Sequence, residues 1–254
     1  MYKLFSVTGK VVLITGSSRG LGFKLAQGFA KAGAIVVVNG QSVAGVERAV
    51  DLLHSEGGQA EGFPFDVSDQ HQVSQAITRI EKEVGPIDVL VNNAGIHRRA
   101  PLEEMTKDQF LQVIDVNLVS VFSVSQLVAS QMIKRKQGRI INITSLNAEG
   151  ARPTIANYCA AKGGLKMLTK SMATEYAKYN IQTNAIGPGY FKTDMTKKLR
   201  DDPEFDSWVK QEVPLARWGD PQELVGVAIF LASQAASYIN GQTIYVDGGW
   251  QASL

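Results

Sequence analysis

Tyr158 and Lys162 stand four residues apart, so on a helix they share one face. A phenol beside an ammonium is a candidate proton carrier. Free tyrosine titrates near about 10, and neighbouring positive charge favours the phenolate, each pKa unit being about 1.4 kcal/mol. Upstream lie a hydroxyl, Ser145, and an amide, Asn117. A different chemistry is suggested by Thr15-Gly16-Ser17-Ser18-Arg19-Gly20-Leu21-Gly22. Its glycines let the backbone turn sharply and approach a pyrophosphate without Cβ clashes, and free N–H groups at a following helix start favour phosphate. Such a turn alone is a weak signal; its place after the first predicted strand strengthens it.

An acid at the end of the second strand would bind the 2′-hydroxyl of NAD and repel the 2′-phosphate of NADP. Asn39-Gly40-Gln41 stands there, with no acid, and Arg19 can pair with a phosphate as a charge-assisted fork. NADP is the expected cofactor. An arginine in place of Gln41 would be a plainer signal, so NAD stays open.

These residues need a scaffold. Short β-branched runs fall at Val11–Ile14, Ile35–Val38, a weaker one ending near Phe65, Ile87–Val91, Arg139–Ile143, Ile181–Ile186 and Thr243–Val246. The runs are continuous rather than alternating, as for strands buried on both faces, and helical patterns separate them. The expectation is one α/β domain over residues 1–254: a doubly wound, Rossmann-type, mainly parallel seven-stranded sheet with helices on both faces. Ligands bind at the carboxyl ends of such strands. The polar stretch 190–213, between Pro188-Gly189 and Pro214, reads as a substrate lid.

Composition excludes several alternatives. A net charge of +2 predicts neither a nucleic-acid nor a membrane partner. Lys134-Arg135-Lys136 reads as a solvated helix end, and Asp201, Asp202 and Glu204 as solvated charges. Apolar runs such as Ile35–Val38 are too short to cross a bilayer, and a cytoplasmic location is expected. The single cysteine, Cys159, allows no intrachain disulfide and reads as a small buried residue. His54, His71 and His97 match no ligand spacing, so no catalytic metal is expected; the first two read as solvated.

Asn92-Asn93-Ala94-Gly95, the set Asn117-Ser145-Tyr158-Lys162, Pro188-Gly189 with Thr193, and the ending Val246-Asp247-Gly248-Gly249 occur here in one order. With the glycine turn, they give the chain a resemblance to the short-chain dehydrogenases/reductases along essentially its whole length. The resemblance implies an enzyme that moves hydride between a nicotinamide dinucleotide and a hydroxyl or carbonyl group. It makes Tyr158 the general base, or the acid in reduction, and gives Ser145 the substrate oxygen. Lys162 would lower the tyrosine pKa and hold the nicotinamide ribose, and Asn117 would support a proton-relaying water chain. Gly16, Ser18, Arg19, Gly20, Leu21, Asn39, Gly40, Gln41, Asn93, Ala94 and Gly95 would bind the cofactor. Asp66 and Val67 would flank the adenine, with Asp66 also able to cap the next helix. Pro188, Gly189 and Thr193 would shape the nicotinamide end. A homotetramer is implied, paired through the helices around Asn117 and Tyr158.

Gly95-Ile96-His97-Arg98-Arg99 follows the fourth strand, where a loop should border the substrate, and two arginines there suit a carboxylate. Within the family this pattern, with Met1-Tyr2-Lys3-Leu4-Phe5 and Asp247-Gly248-Gly249-Trp250, resembles gluconate 5-dehydrogenases. The implied reaction is reversible oxidation of D-gluconate to 5-keto-D-gluconate, with Arg99 on the carboxylate and Arg98 behind it. Alternatives are a 3-oxoacyl-carrier-protein reductase, another polyol or sugar dehydrogenase, and a dinucleotide-sensing binding protein without turnover.

Overall fold

The computed structural model describes residues 3–253; Met1 and Tyr2 of the N-terminal resemblance lie outside them. Seven parallel strands form one sheet in the order β3-β2-β1-β4-β5-β6-β7. They are β1 (Val11–Ile14), β2 (Ile35–Gly40), β3 (Gln59–Pro64), β4 (Ile87–Asn92), β5 (Gly138–Ile143), β6 (Ile181–Pro188) and β7 (Thr243–Val246). The order reverses between β1 and β4, which opens a crevice at their carboxyl ends.

Strand β1 shows why its run is continuous. Val12 and Ile14 enter one core and Val11 and Leu13 the other. The first core is closed by α1 (Gly20–Lys31), α2 (Val43–Ser55) and α9 (Val225–Ala232), through residues such as Leu25, Phe29, Leu53 and Leu231. The second is closed by α3 (Gln70–Glu83) and α5 (Ser120–Arg135), with α6 (Ala156–Tyr176) packed beside them on β6. Val73, Ile77 and Ile80 keep one face of α3 in that core. A fully buried Phe29 alone contributes roughly 1.5–3 kcal/mol. Strand β3 departs from the expected continuous burial: as an edge strand it buries only Ala60 and Phe63.

Helix α4 (Lys107–Ile114) runs through a π turn (Asp115–Val119) into α5. Within the continuous helix Lys107–Arg135 an 18-residue window has a mean hydropathy of 1.6, long and apolar enough to cross a membrane by length and composition alone. Here its Val113, Val124, Val128 and Met132 are buried in the protein. Arg135 is not a solvated helix end either. It pairs with Glu81 of α3 at 2.7 Å and donates to the Ile87 carbonyl.

Residues 190–213 hold two helices, α7 (Lys197–Arg200) and α8 (Pro203–Glu212). The segment is less polar than its sequence suggested, because Phe205, Trp208, Val209 and Val213 pack with Tyr190, Trp218 and Trp250 in a small core of their own. Asp202, expected to be solvated, is the N-cap of α8 and accepts from Glu204 N at 3.0 Å.

Candidate active site

The crevice is a cavity of about 920 Å³ that runs from the glycine turn to Tyr158 and on to Tyr190 and Phe205. At its first end the chain leaves β1 and turns through Gly16 (φ 62°) and Gly20 (φ 63°) into α1. A Cβ on Gly16 would lie 2.8 Å from the Ala94 Cα, and one on Gly22 would lie 2.4 Å from the Asn93 side chain. The Gly20 Cβ position faces open space, leaving the turn approachable by a ligand. Thr15 Oγ1 accepts from the N–H groups of Asn93 and Ala94, and the Asn93 amide donates back to the carbonyls of Thr15 and Gly16. The glycine turn and the Asn-Ala-Gly turn are therefore one laced unit.

Asn39 lines the cavity, but its side chain is committed to the scaffold. It accepts from Gly16 N and donates to the carbonyls of Phe63 and Phe65. Gly40, Gln41, Ser18, Leu21, Gly95 and Val67 also line the wall. Asp66 stands behind Gln41, accepting from its amide at 2.8 Å, and closes an Asx turn with Ser68; the cap of α3 is Asp69 instead. Arg19 lies on the wall as expected, joined by Arg48 of α2, which the sequence reading passed over. The signal available was its position, in the second turn of the helix that follows Gln41.

Ser145 and Tyr158 meet at the other end. Ser145, two residues beyond β5, is the N-cap of a short 3-10 turn and accepts from Asn147 N at 3.1 Å; it shares the cavity wall with Tyr158, close enough to oppose the rise in the phenol's pKa. Asn92 donates to Ser125 and Asn142, and Asn142 to Thr169, a buried chain that ties α5, β4, β5 and α6 together beneath Tyr158. Lys162 is buried, with Nζ donating to the Ile143 carbonyl at 2.7 Å and lying 5.6 Å from the centre of the Tyr158 ring. Burial holds its pKa down at about 8.

The expected lowering of the tyrosine pKa is not found in this ligand-free arrangement. Burial pushes Tyr158 up to about 12, and the Ser145 hydrogen bond and the Arg99 charge only partly oppose it. Asn117 is fully buried in the π turn, and both ends of its amide grip Ile96, accepting from the N–H at 2.8 Å and donating to the carbonyl at 3.0 Å. Its side chain fixes the Gly95–Arg99 loop.

The two arginines of that loop part company. Arg98 turns to Gln112 (2.9 Å) and the His97 carbonyl, off the cavity wall. Arg99 lies on the wall, where burial and then the charge of Arg152 lower its pKa. Buried Asn157, next to Tyr158, donates to the Arg98 carbonyl at 2.9 Å and so anchors the loop to α6. His97, which matches no ligand spacing, lines the cavity. Its ring stacks on Tyr158 with centroids 3.8 Å apart, and burial followed by the Arg99 and Lys162 charges pushes its pKa down to about 4. Cys159 is only partly buried. Pro188, Gly189 and Thr193 line the far wall; a Cβ on Gly189 would lie 2.7 Å from the Asp247 Cα.

Comparison with known proteins supplies the context. Residues 16–251 match the family described as Enoyl-(Acyl carrier protein) reductase. The 5-keto-D-gluconate 5-reductase of Escherichia coli (strain K12) is 51% identical over 249 residues, 98% of each chain. A 2-dehydro-3-deoxy-D-gluconate 5-dehydrogenase of Formosa agariphila is 49% identical, covering 99% of this chain and 96% of that one. The gluconate 5-dehydrogenase of Burkholderia cenocepacia J2315, solved in complex with NADP and tartrate, superposes with a TM-score of 0.97 at 47% identity over 99% of both chains. With the fold, the laced glycine turn and the Ser145–Tyr158 contact, these matches establish that the chain belongs to the short-chain dehydrogenase/reductase family.

Proposed function

We propose that the protein is an NADP-dependent oxidoreductase that reversibly oxidises D-gluconate to 5-keto-D-gluconate. One observation carries the reading: a single cavity joins the glycine turn to Ser145 and Tyr158, and five cations line it, Arg19, Arg48, Arg99, Arg152 and Lys162, against one acid, Asp194. That wall suits anionic ligands at both ends. The identity to relatives named for 5-keto-D-gluconate and gluconate supports the sugar acid.

The residues present fit a dinucleotide phosphate. The open side of Gly20 and the start of α1 would receive the pyrophosphate, Arg19 and Arg48 on the same wall would hold the 2′-phosphate, and Lys162 would hold the ribose. When bound, the nicotinamide accepts hydride from an alcohol carbon or returns it to a carbonyl. Tyr158 takes the substrate hydroxyl proton in oxidation and returns it in reduction. Ser145 holds the substrate oxygen and stabilises charge on it. Arg99 holds the carboxylate. Asn117 acts through Ile96, placing the loop that carries Arg99.

The rival acyl-carrier-protein substrate needs a basic rim. Lys197 and Lys210 are instead paired with Asp201 and Asp206, both at 2.6 Å. We further propose a soluble, cytoplasmic homotetramer, with residues 190–213 as the lid. The test is the absorbance of reduced nicotinamide with D-gluconate plus NADP, then NAD. Rapid NADP reduction is expected. Turnover only of a 3-oxoacyl ester with NADPH, or only of 2-dehydro-3-deoxy-D-gluconate, would replace the substrate, and binding of NADP with no turnover of any of these would favour a sensing role.

A further inference from the structure

Arg152 occupies a place that the catalytic residues do not explain. Its guanidinium lies 3.8 Å over the Trp208 ring and 5.0 Å from the centre of Phe205, both on α8, and it donates to the Tyr190 hydroxyl. The aromatic wall fixes the group through its face and one N–H, leaving the positive charge uncompensated. Arg99 is close enough to feel that charge. Among the described residues neither guanidinium is paired with a carboxylate, and Asp194, the acid on the cavity wall, reaches neither. Two unneutralised guanidiniums held together inside a cavity repel, and a bound anion would relieve that repulsion.

Arg99, Arg152 and Tyr158 line the same cavity, and the far side of Arg152 rests on the aromatic rings of α8. Arg99 feels the charge of Arg152, and Tyr190 feels both. A chain-like sugar acid, with its reacting carbon near one end and its carboxylate at the other, suits a cavity that offers a phenol and this pair of guanidiniums.

We propose that Arg152 and Arg99 form a two-guanidinium clamp for the substrate carboxylate, and that Trp208 and Tyr190 position the clamp by holding Arg152 from below. This rests on the sugar-acid reading above, and it gives Arg152 the supporting place first assigned to Arg98. The clamp makes carboxylate recognition depend on the placement of α8.

The test is equilibrium binding by isothermal titration, with NADPH present, of D-gluconate and of D-glucitol, its neutral counterpart with an alcohol at C1. Arg152→Met is expected to weaken D-gluconate at least tenfold, to leave D-glucitol within threefold of wild type, and to raise KM far more than it lowers kcat. Trp208→Leu keeps the charge but removes its support, and is expected to weaken D-gluconate at least threefold. Unchanged NADPH affinity reports an intact fold. If Arg152→Met does not fold, Arg152→Lys carries the test, since lysine keeps the charge but neither stacks nor forks. D-gluconate binding within threefold of wild type in the folded variant overturns the clamp, as do equal losses for both ligands. Arg152-dependent binding without oxidation of D-gluconate would leave the clamp standing and overturn the proposed activity. Oxidation that is indifferent to Arg152 would do the reverse, and no binding by the wild type would overturn both.

Discussion

Tyr158 carries the proton in the proposed reaction, and its surroundings set the direction of the pH dependence. Burial raises its pKa to about 12, so in the free protein the phenolate is scarce at neutral pH and grows as pH rises. Oxidation, which needs the base, is therefore expected to gain in kcat/KM from pH 7 upward, while carbonyl reduction, which needs the acid, holds level until pH approaches that pKa; pH profiles in both directions measure this. A flat oxidation profile would mean that proton removal is not limiting. Tyr158→Phe should lower kcat by roughly 10²–10⁴-fold with cofactor affinity retained, measured by titrating NADPH fluorescence. At the other end of the cavity, Arg19→Ala with Arg48→Ala should raise the KM for NADP at least tenfold and leave that for NAD within about threefold. Equal effects on both cofactors would argue against a 2′-phosphate contact. Arg19 was legible because an arginine in a glycine turn is a local feature. Arg48 was not, because its approach depends on how α2 leans on β2.

At the scale of elements, the loop Gly95–Arg99 is held at both ends by buried amides, Asn117 on Ile96 and Asn157 on Arg98. Asn117 stood out by its position, but its partner did not, because no sequence pattern marks a π turn within a helix. The lid segment shows the same limit. Its mixed charges are visible in the sequence, whereas the aromatic box around Arg152 gathers Tyr190, Phe205 and Trp208 from both sides of α7. Asp202→Ala removes the N-cap of α8 and should destabilise the protein by about 1 kcal/mol, read from denaturant unfolding. If α8 positions the substrate, the same variant raises the KM for D-gluconate. An unchanged KM beside a lowered midpoint would confine Asp202 to stability.

Over the whole molecule, apolar side chains on two of the long helices are exposed among the described residues. Val119 and Phe122 are exposed along the helix through the π turn, and Met167 is exposed on α6. Exposed apolar side chains suit an interface, and these are the helices expected to pair in a tetramer. Phe122→Glu should shift the protein to a smaller species in sedimentation analysis, with the fold intact by circular dichroism. A wild-type protein already monomeric at micromolar concentration would remove the proposal.

The sequence by itself determined the sheet, the glycine turn and the shared helix face of Tyr158 and Lys162, and the reason is that each is written locally. Strands buried on both faces must be continuously apolar, a backbone turning at positive φ beside a ligand demands glycine, and two side chains on one helix face need only the right spacing. The tertiary structure decided which polar groups face the cavity and which are consumed in holding it. Asn39 and Asn117 turned inward to the scaffold, Arg98 turned away, and Arg48, His97 and Arg152 entered the site. Those outcomes depend on contacts between segments far apart in the chain, where a side chain's partner is fixed by packing rather than by its neighbours in sequence. The pKa of Tyr158 belongs to the same class, because burial is a property of the assembled fold and it outweighs the Ser145 hydrogen bond and the Arg99 charge that oppose it.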